Sequence, residues 1–265
     1  MGGEPFMTGL AKKTFLVTGS GKGLGGSLAI EAAKHGAQVV LHYNSSVKSA
    51  QKVLEQVRAY GVPAILVQAD LSTPDGPAQL YAKAQEAFGG VDVLINNAAA
   101  QYNLPFPSYD EQHLRRLLYT NVGGYLLMAQ AVLPYMRAAG FGRIINISSI
   151  HAKRPTTFDP AYSISKGSIK MFTREMALAC GGTDITVNAI ELGYVEIGVK
   201  SGNPREVLTA ECTALEPLFR FKKTFAWDRR IMPEDLGPAV MFLASEQAKY
   251  INGASLRIDD AAMLL

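Results

Sequence analysis

Three side chains in the middle of this sequence have the types and spacing of an acid/base centre. Tyr162 and Lys166, in Tyr162-Ser163-Ile164-Ser165-Lys166, stand four residues apart and share one face of a helix beginning near Ala161. A phenol with an ordinary pKa of about 10 needs help to exchange protons near neutrality, and a nearby ammonium favours the phenolate by opposite charge. Ser149 lies thirteen residues upstream of Tyr162, just after the apolar run Arg143–Ser148, where its hydroxyl could hold a substrate oxygen. A Tyr-x-x-x-Lys pair alone arises by chance in many helices. Its meaning depends on what surrounds it.

The second feature is a glycine-rich turn, Thr18-Gly19-Ser20-Gly21-Lys22-Gly23-Leu24-Gly25-Gly26. It reads either as Gly-x-Gly-x-x-Gly from Gly21 or as Thr-Gly-x-x-x-Gly-x-Gly through Gly19, Gly23 and Gly25. The second reading fits better, because Gly19 follows the first strand directly. Glycines there let backbone approach a pyrophosphate, and the helix that follows offers free N–H groups and a positive dipole end. A Walker-type phosphate loop is excluded, since Gly23 rather than Ser or Thr follows Lys22 and Leu16 occupies the first-glycine position. Asn96-Asn97-Ala98-Ala99, after a fourth strand, completes the set. Together these features form a strong signal for a dinucleotide-dependent enzyme.

The end of the second strand bears on which dinucleotide. An NAD site usually carries an acid about 20 residues beyond the glycines to accept from the ribose hydroxyls. Here the chain reads His42-Tyr43-Asn44-Ser45-Ser46, with no acid before Glu55, while Lys22 stands inside the glycine loop. Missing repulsion, a cation and hydroxyls suit a 2′-phosphate, so NADP(H) is favoured, with NAD(H) as the alternative and a solvent-facing Lys22 as the bland reading.

The elements that must position these residues alternate regularly. Strands are expected at Thr14–Thr18, Gln38–His42, Ala64–Gln68, Val91–Asn96, Arg143–Ser148, Thr186–Ile190 and Ser255–Ile258. Helices are expected at Leu24–His35, Val47–Tyr60, Pro77–Phe88, Glu111–Ala139, Ala161–Ala179 and Glu234–Ser245. Strands that are apolar almost throughout belong to a sheet covered on both faces. The fold class is therefore α/β: a single-domain, Rossmann-type, doubly wound parallel sheet with helices on both faces. Residues 1–10 read as an N-terminal extension. The 42 residues Glu191–Met232 break the rhythm and read as a substrate-lid segment, since a stretch that long inside a compact domain is usually functional.

Bulk properties exclude other classes. At 48% hydrophobic and 18% charged the chain can bury a sizeable core, which rules out wholesale disorder. Cys180 and Cys212 cannot make a disulfide framework, and no Cys/His group has metal spacing, so no metal is expected. The first ten residues show no secretory signal, and Val122–Met136 is too short to span a bilayer and holds Pro134, so a buried helix and a cytoplasmic protein are expected. A net charge of +3 is too small for a nucleic-acid coat unless it clusters.

From Lys12 to Asp259 the sequence resembles the short-chain dehydrogenase/reductase family, on the glycine turn, Asn96–Ala99, Asn121, Ser149 and the Tyr162/Lys166 pair. The resemblance implies that Ser149 orients the carbonyl, Tyr162 exchanges the proton, and Lys166 holds the nicotinamide ribose and lowers the Tyr162 pKa. Asn121 would support a proton-relay water. Asp70 and Leu71 would lie beside adenine, and Asn97, Ala98 and Ala99 along its ribose, with Ser20 and Leu24 in the glycine loop. Asn188 reads as structural. The branch resembled contains 3-oxoacyl-carrier-protein reductases and sugar or polyol dehydrogenases, whose members form homodimers or homotetramers and act on small carbonyl or alcohol substrates. Neither nucleic acid nor membrane is an expected partner.

The chain also departs from that family. The usual Pro-Gly after strand six is Leu192-Gly193, preceded by Glu191; the following Thr is missing from Tyr194-Val195-Glu196-Ile197-Gly198; and the terminal Asp-Gly-Gly is Asp259-Asp260-Ala261. Gly193 and Val195 retain backbone groups for the nicotinamide side. A non-catalytic dinucleotide sensor or scaffold is the rival reading, favoured by these changes and opposed by the complete Asn121/Ser149/Tyr162/Lys166 set. His151 is read as lining the pocket or capping the turn, and Tyr102, Phe106 and Tyr194 as pocket-lining or packing aromatics. Residues 220–230 carry five cations and one anion, more than the whole net charge. They read either as a solvated edge or subunit contact, or as an attractor for an anionic substrate. If the latter holds, neutralising Lys222, Lys223, Arg229 and Arg230 raises KM selectively for anionic substrates and flattens its salt dependence; an unchanged preference removes it.

Overall fold

The computed structural model describes residues 9–102, 104, 106–155, 159–196 and 231–264. Within it, β1 (Thr14–Val17), α1 (Gly23–Lys34), β2 (Gln38–Tyr43), α2 (Val47–Arg58), β3 (Ala64–Gln68), α3 (Gly76–Phe88) and β4 (Val93–Asn96) form the first half. The second half holds α4 (Glu111–Leu118), α5 (Gly124–Ala139), β5 (Gly142–Ser149), α6 (Pro160–Ala179), β6 (Ile185–Leu192), α7 (Gly237–Ala244) and β7 (Ser255–Ile258). The seven strands form one parallel sheet in the order β3-β2-β1-β4-β5-β6-β7. That order reverses between β1 and β4, so the loops leaving these two strands open a crevice at the carboxyl edge.

Apolar side chains sort onto the two faces by strand alternation. Phe15, Val17, Val39, Leu41, Val93, Ile95 and Ile145 meet α1 and α7, while Leu16, Val40, Leu94, Ile144 and Val187 meet α3, α5 and the end of α6. Arg143 on β5 is fully buried; its guanidinium reaches the Asp184 carboxylate at 3.0 Å and the Gly142, Asp184 and Ser245 carbonyls. The doubly wound expectation is met.

Boundaries shift by one or two residues in several elements, β4 starting at Val93 and α2 ending at Arg58, and three differences from the sequence reading bear on the site. The single helix expected over Glu111–Ala139 is two helices joined by a π-helical turn, Tyr119–Gly123, because Asn121 inside that turn bonds the distant Ala100 backbone. β6 runs two residues further, through Glu191 and Leu192, because β5 pairs with it on one side and β7 on the other. The expected helix Glu234–Ser245 begins as a 3-10 turn, Pro233–Leu236, before α7. At the base of the long segment after β6, Val195 bridges Ile231 and the Glu196 N–H donates to the Ile231 carbonyl at 2.9 Å. Ile197, Gly198 and the basic 220–230 stretch lie outside the described residues.

Candidate active site

The glycine turn grips its neighbours through backbone. Gly19 has φ +66°, and a Cβ on it would meet Ala98 Cα at 2.9 Å, so the β1 and β4 loops approach as only glycine allows. Thr18 Oγ1 accepts from the Asn97 and Ala98 N–H groups, and Asn97 Nδ2 donates to the Thr18 and Gly19 carbonyls. A Cβ on Gly25 would fall 2.5 Å from the Gly19 oxygen, which seats α1 directly on the turn. Lys22 is the N-cap in extended backbone, Gly23 has φ +56°, and no side chain caps this terminus. An uncapped helix start against a glycine cradle fits a pyrophosphate. Gly19, Ser20, Lys22, Gly23, Leu24 and Gly25 all belong to this turn and helix start.

Sequence reasoning passed over His42, the buried pin of this loop. Its Nδ1 accepts from the Gly19 N–H at 2.9 Å and its Nε2–H donates to the Ala69 carbonyl at 3.1 Å, which requires the neutral ring. Ser20 Oγ accepts from the His42 N–H at 2.8 Å. Just beyond, Asn44, Ser45 and Ser46 are exposed at the start of α2, and Tyr43 is half-buried. Asp70 accepts from the Ser72 hydroxyl and faces Arg116, and both hold its carboxyl below the ordinary range despite partial burial. Leu71 is buried beside it, while Ala99 is exposed.

The second cluster lies at the carboxyl ends of β5 and β6. Ser149 ends β5; its hydroxyl donates to the Leu192 carbonyl at 3.4 Å and accepts from the His151 N–H at 3.2 Å. Tyr162 lies in the first turn of α6, near enough to the Ser149 hydroxyl for that group to favour its phenolate. The Lys166 ammonium sits 5.4 Å from the Tyr162 ring centroid and donates to the Ile147 carbonyl at 2.8 Å. The buried Tyr125 hydroxyl donates to the same carbonyl at 3.2 Å. Asn121 is fully buried: its oxygen accepts from the Ala100 N–H and its amide donates to the Ala100 carbonyl and to Ser165 Oγ. The four residues that the sequence singled out for catalysis therefore converge on one edge of the sheet.

Their electrostatics differ from the sequence expectation in one respect. Burial pushes the Lys166 ammonium down to about 7, so at neutrality much of its charge is lost. Tyr162 is pushed up to about 12, chiefly by burial, with the Asp159 carboxylate adding and the Ser149 hydrogen bond opposing. In the unliganded chain desolvation outweighs the help expected from the lysine.

The departures from the family find partners. Glu191 is fully buried on β6, with Lys170 of α6 at 2.8 Å and Lys153 at 3.3 Å, and these cations keep its carboxyl low. Leu192 still presents its carbonyl to Ser149. Gly193 packs where a Cβ would meet Asp259 Cα at 2.8 Å, and Val195 follows at the bridge to Ile231. Asp260 and Ala261 take positive φ, +46° and +64°, the conformation that the usual glycines adopt without strain. Asn188 is structural: its amide bonds the Ile251 carbonyl and the Ala254 N–H. His151 packs edge-on to Tyr162 with ring centroids 6.3 Å apart, and Tyr102 packs against His113. Tyr194 is half-buried, and the side chain of Phe106 lies outside the described set.

A glycine turn on a parallel sheet, opposite a serine, a tyrosine and a lysine, defines a dinucleotide-dependent oxidoreductase. The chain belongs to the short chain dehydrogenase family, whose profile matches residues 13–206, a family that binds NAD(P). It is 34% identical over 257 residues to glucose 1-dehydrogenase 2 of Bacillus subtilis, covering 96% of each chain. It is 33% identical over 262 residues to versicolorin reductase 1 of Aspergillus parasiticus, covering 94% of this chain and 96% of that one. Among solved structures, a 3-oxoacyl-(acyl-carrier-protein) reductase from Agrobacterium tumefaciens with NADP bound superposes with a TM-score of 0.82, at 30% identity over 95% of both chains. An acetoin dehydrogenase from Salmonella typhimurium gives 0.82 at 29% identity, over 96% of this chain and 98% of that one. The protein is an oxidoreductase acting on CH–OH/C=O groups. Among the described residues no helix is long and apolar enough to cross a membrane.

Two outcomes follow from the glycine loop. Gly25→Ala drives a methyl into backbone and weakens dinucleotide binding by about tenfold or more, read by cofactor titration. Burial lowers the His42 pKa below its ordinary 6.5, so below that pH the unfolded chain binds the extra proton. Stability is therefore complete above pH 6.5 and falls as pH drops below it, by up to about 1.4 kcal/mol per unit from this one group. His42→Gln should flatten that acid limb in melting curves recorded across the range.

Proposed function

We propose that the chain is an NADP(H)-dependent carbonyl reductase or alcohol dehydrogenase in which Tyr162 exchanges the proton. The observation that carries this reading is that Ser149 at the end of β5 and Lys166 of α6 stand beside Tyr162, the Lys166 ammonium 5.4 Å from its ring centroid, at the edge where the glycine turn also ends. The nicotinamide, when bound, supplies or accepts the hydride at the carbonyl carbon. Ser149 and Tyr162 donate hydrogen bonds to the carbonyl oxygen as negative charge develops there, and Tyr162 passes its proton to it. Lys166 holds the nicotinamide ribose and, once paired there, supports the phenolate left on Tyr162. Asn121 fixes the α4–α5 turn through Ala100 and Ser165, and its place beside α6 suits support of a proton-relay water.

The dinucleotide is held by Gly19, Ser20, Lys22, Gly23, Leu24 and Gly25 at the pyrophosphate, with Asp70, Leu71, Asn97, Ala98 and Ala99 on the adenosine side and Gly193 and Val195 toward the nicotinamide. The preference for NADP(H) rests on exposed Asn44, Ser45 and Ser46, an α2 first turn without acid, and exposed Lys22. The substrate is a small carbonyl or alcohol compound, and the 191–232 segment shapes its side of the site. A cytoplasmic homodimer or homotetramer suits the remaining surface. Ile164, Met171 and Leu178 form a stripe at heptad spacing on α6, 58%, 55% and 78% exposed. An apolar stripe that long needs cover.

Tyr162→Phe should cut turnover by about 10²–10⁴-fold or abolish it while leaving NADPH affinity nearly unchanged, measured by NADPH oxidation against a carbonyl panel and by cofactor fluorescence titration. Normal turnover by this variant sinks the assignment. Lys22→Glu should reverse the preference between NADPH and NADH, and equal loss for both removes the 2′-phosphate reading.

A further inference from the structure

The ring of His42 joins two parts of the crevice at the carboxyl edge of the sheet. Toward the glycine turn, Nδ1 accepts from the Gly19 N–H at 2.9 Å and the His42 N–H donates to Ser20 Oγ at 2.8 Å. The Ser20 N–H returns a bond to the His42 carbonyl at 2.9 Å. Toward β3, Nε2 bonds the Ala69 carbonyl at 3.1 Å, directly before Asp70 and Leu71. His42 is buried, so a bond lost here is not returned by solvent. Gly19 has both of its backbone polar groups engaged, the N–H by His42 and the carbonyl by Asn97 Nδ2 at 3.3 Å. It holds φ +66° with no room for a Cβ, so these bonds set the shape of the turn.

The pattern admits one proton on the ring. Acceptance at Nδ1 and donation from Nε2 fix the neutral Nε2–H tautomer. A second proton, on Nδ1, would set two donors against each other 2.9 Å apart. Turning the ring over exchanges both nitrogens for carbons and loses the Ala69 bond as well. Protonation therefore frees the Gly19 N–H or expels the ring, and either outcome moves the turn on which a pyrophosphate would lie. We infer that His42 is a positioning residue for the dinucleotide, that only its neutral ring holds the glycine turn in the binding geometry, and that cofactor binding in acid is linked to release of one proton from His42. That proton leaves Nδ1 for solvent as the dinucleotide binds; above the titration of the ring none is exchanged. Asp70, at the end of β3, bears on the ring and favours its cation, while Arg116 of α4 draws that carboxylate at 3.4 Å. Lys22 stands in the turn itself, Tyr43 follows on β2, and Tyr81 of α3 packs into the apolar layer on the same face of the sheet. Burial opposes the cation and outweighs Asp70, which puts the titration of His42 below the ordinary 6.5.

The inference rests on the glycine turn as the seat of the dinucleotide, and the experiment separates the two. Affinity for NADP⁺, the acid-stable form, is measured by calorimetry from about pH 5 to about pH 8 in parent, His42→Asn and His42→Leu. In His42→Asn the amide oxygen stands in for Nδ1 as acceptor from Gly19 and never titrates. Relative to that variant, the parent should lose about tenfold in affinity for each pH unit below the titration of His42. The 2′-phosphate of the ligand titrates near pH 6 as well, but equally in both proteins, so the ratio of their affinities isolates His42. His42→Leu, which offers no acceptor, should bind about tenfold more weakly than the parent at about pH 8, in constant ratio to His42→Asn across the range. In the parent, the His42 imidazole followed by NMR should titrate at lower pH with dinucleotide bound than without. A merely structural role weakens binding in the variants without changing the pH profile. Parallel affinity curves for parent and His42→Asn overturn the inference, as does an imidazole titration that the dinucleotide leaves in place. Parental affinity in His42→Leu overturns the positioning role. Should neither variant fold, the imidazole titration of the parent decides alone. Failure of the parent to bind either NADP⁺ or NAD⁺ near neutrality counts instead against the glycine turn as the seat, and takes this inference with it.

Discussion

An ammonium withdrawn from water must be given a partner or give up its proton, and Lys166 does some of both. Its side chain crosses from α6 to β5 and donates to the Ile147 carbonyl, two residues before the strand ends in Ser149. The Tyr125 hydroxyl shares that carbonyl from α5, and Ser148 Oγ donates to the Lys166 carbonyl from below. This contact sets the height of α6 against the sheet to within the reach of one side chain. Tyr162, one turn earlier on the same face, is consequently delivered to Ser149 rather than to the apolar layer beneath.

The rest of that interface is polar to an unusual depth, and it is held by pairing. Asn96 on β4 donates to Asn146 on β5, Asn146 donates to Thr173 on α6, and Thr173 returns its hydroxyl to the Ile169 carbonyl. Asn121 reaches Ser165, and Glu191 takes Lys170. Polar groups buried in this way cost free energy when left alone and confer a unique geometry when paired, because each bond has a direction that apolar contact lacks. The apolar layers hold the sheet to its helices, while the polar ladder decides where along the sheet α6 comes to rest.

The glycine loop obeys a different constraint, that of backbone distance. Gly19 and Gly25 have no room for a methyl, so the loop packs against β4 and the start of α1 through main-chain atoms, with Thr18, Asn97 and His42 pinning it. The same closeness that excludes side chains leaves the first N–H groups of α1 without a cap. A site for an anion and a rigid seam between two halves of the sheet arise from one arrangement.

Much of this was legible in the linear chain because it is written in local pattern. Apolar runs marked the strands, the glycines marked the turn, and four-residue spacing placed Tyr162 and Lys166 on one face. The Asp159-Pro160 pair was a helix-start signal that could have drawn attention to the cap, although nothing local says that this carboxylate also holds Tyr102 and Tyr109. What needed the folded chain was everything set by contacts across long separations. Asn121 interrupts the expected helix by bonding Ala100, Glu191 is tolerated inside a strand because Lys153 and Lys170 converge on it, and His42 reaches back to Gly19. The proton affinity of Tyr162 is the sharpest case. Sequence alone names the lysine that should lower it, whereas burial and the Asp159 charge, both products of tertiary packing, raise it instead. Residue type and spacing determined which groups meet at the site; desolvation, which exists only in the folded state, decided how they hold their protons.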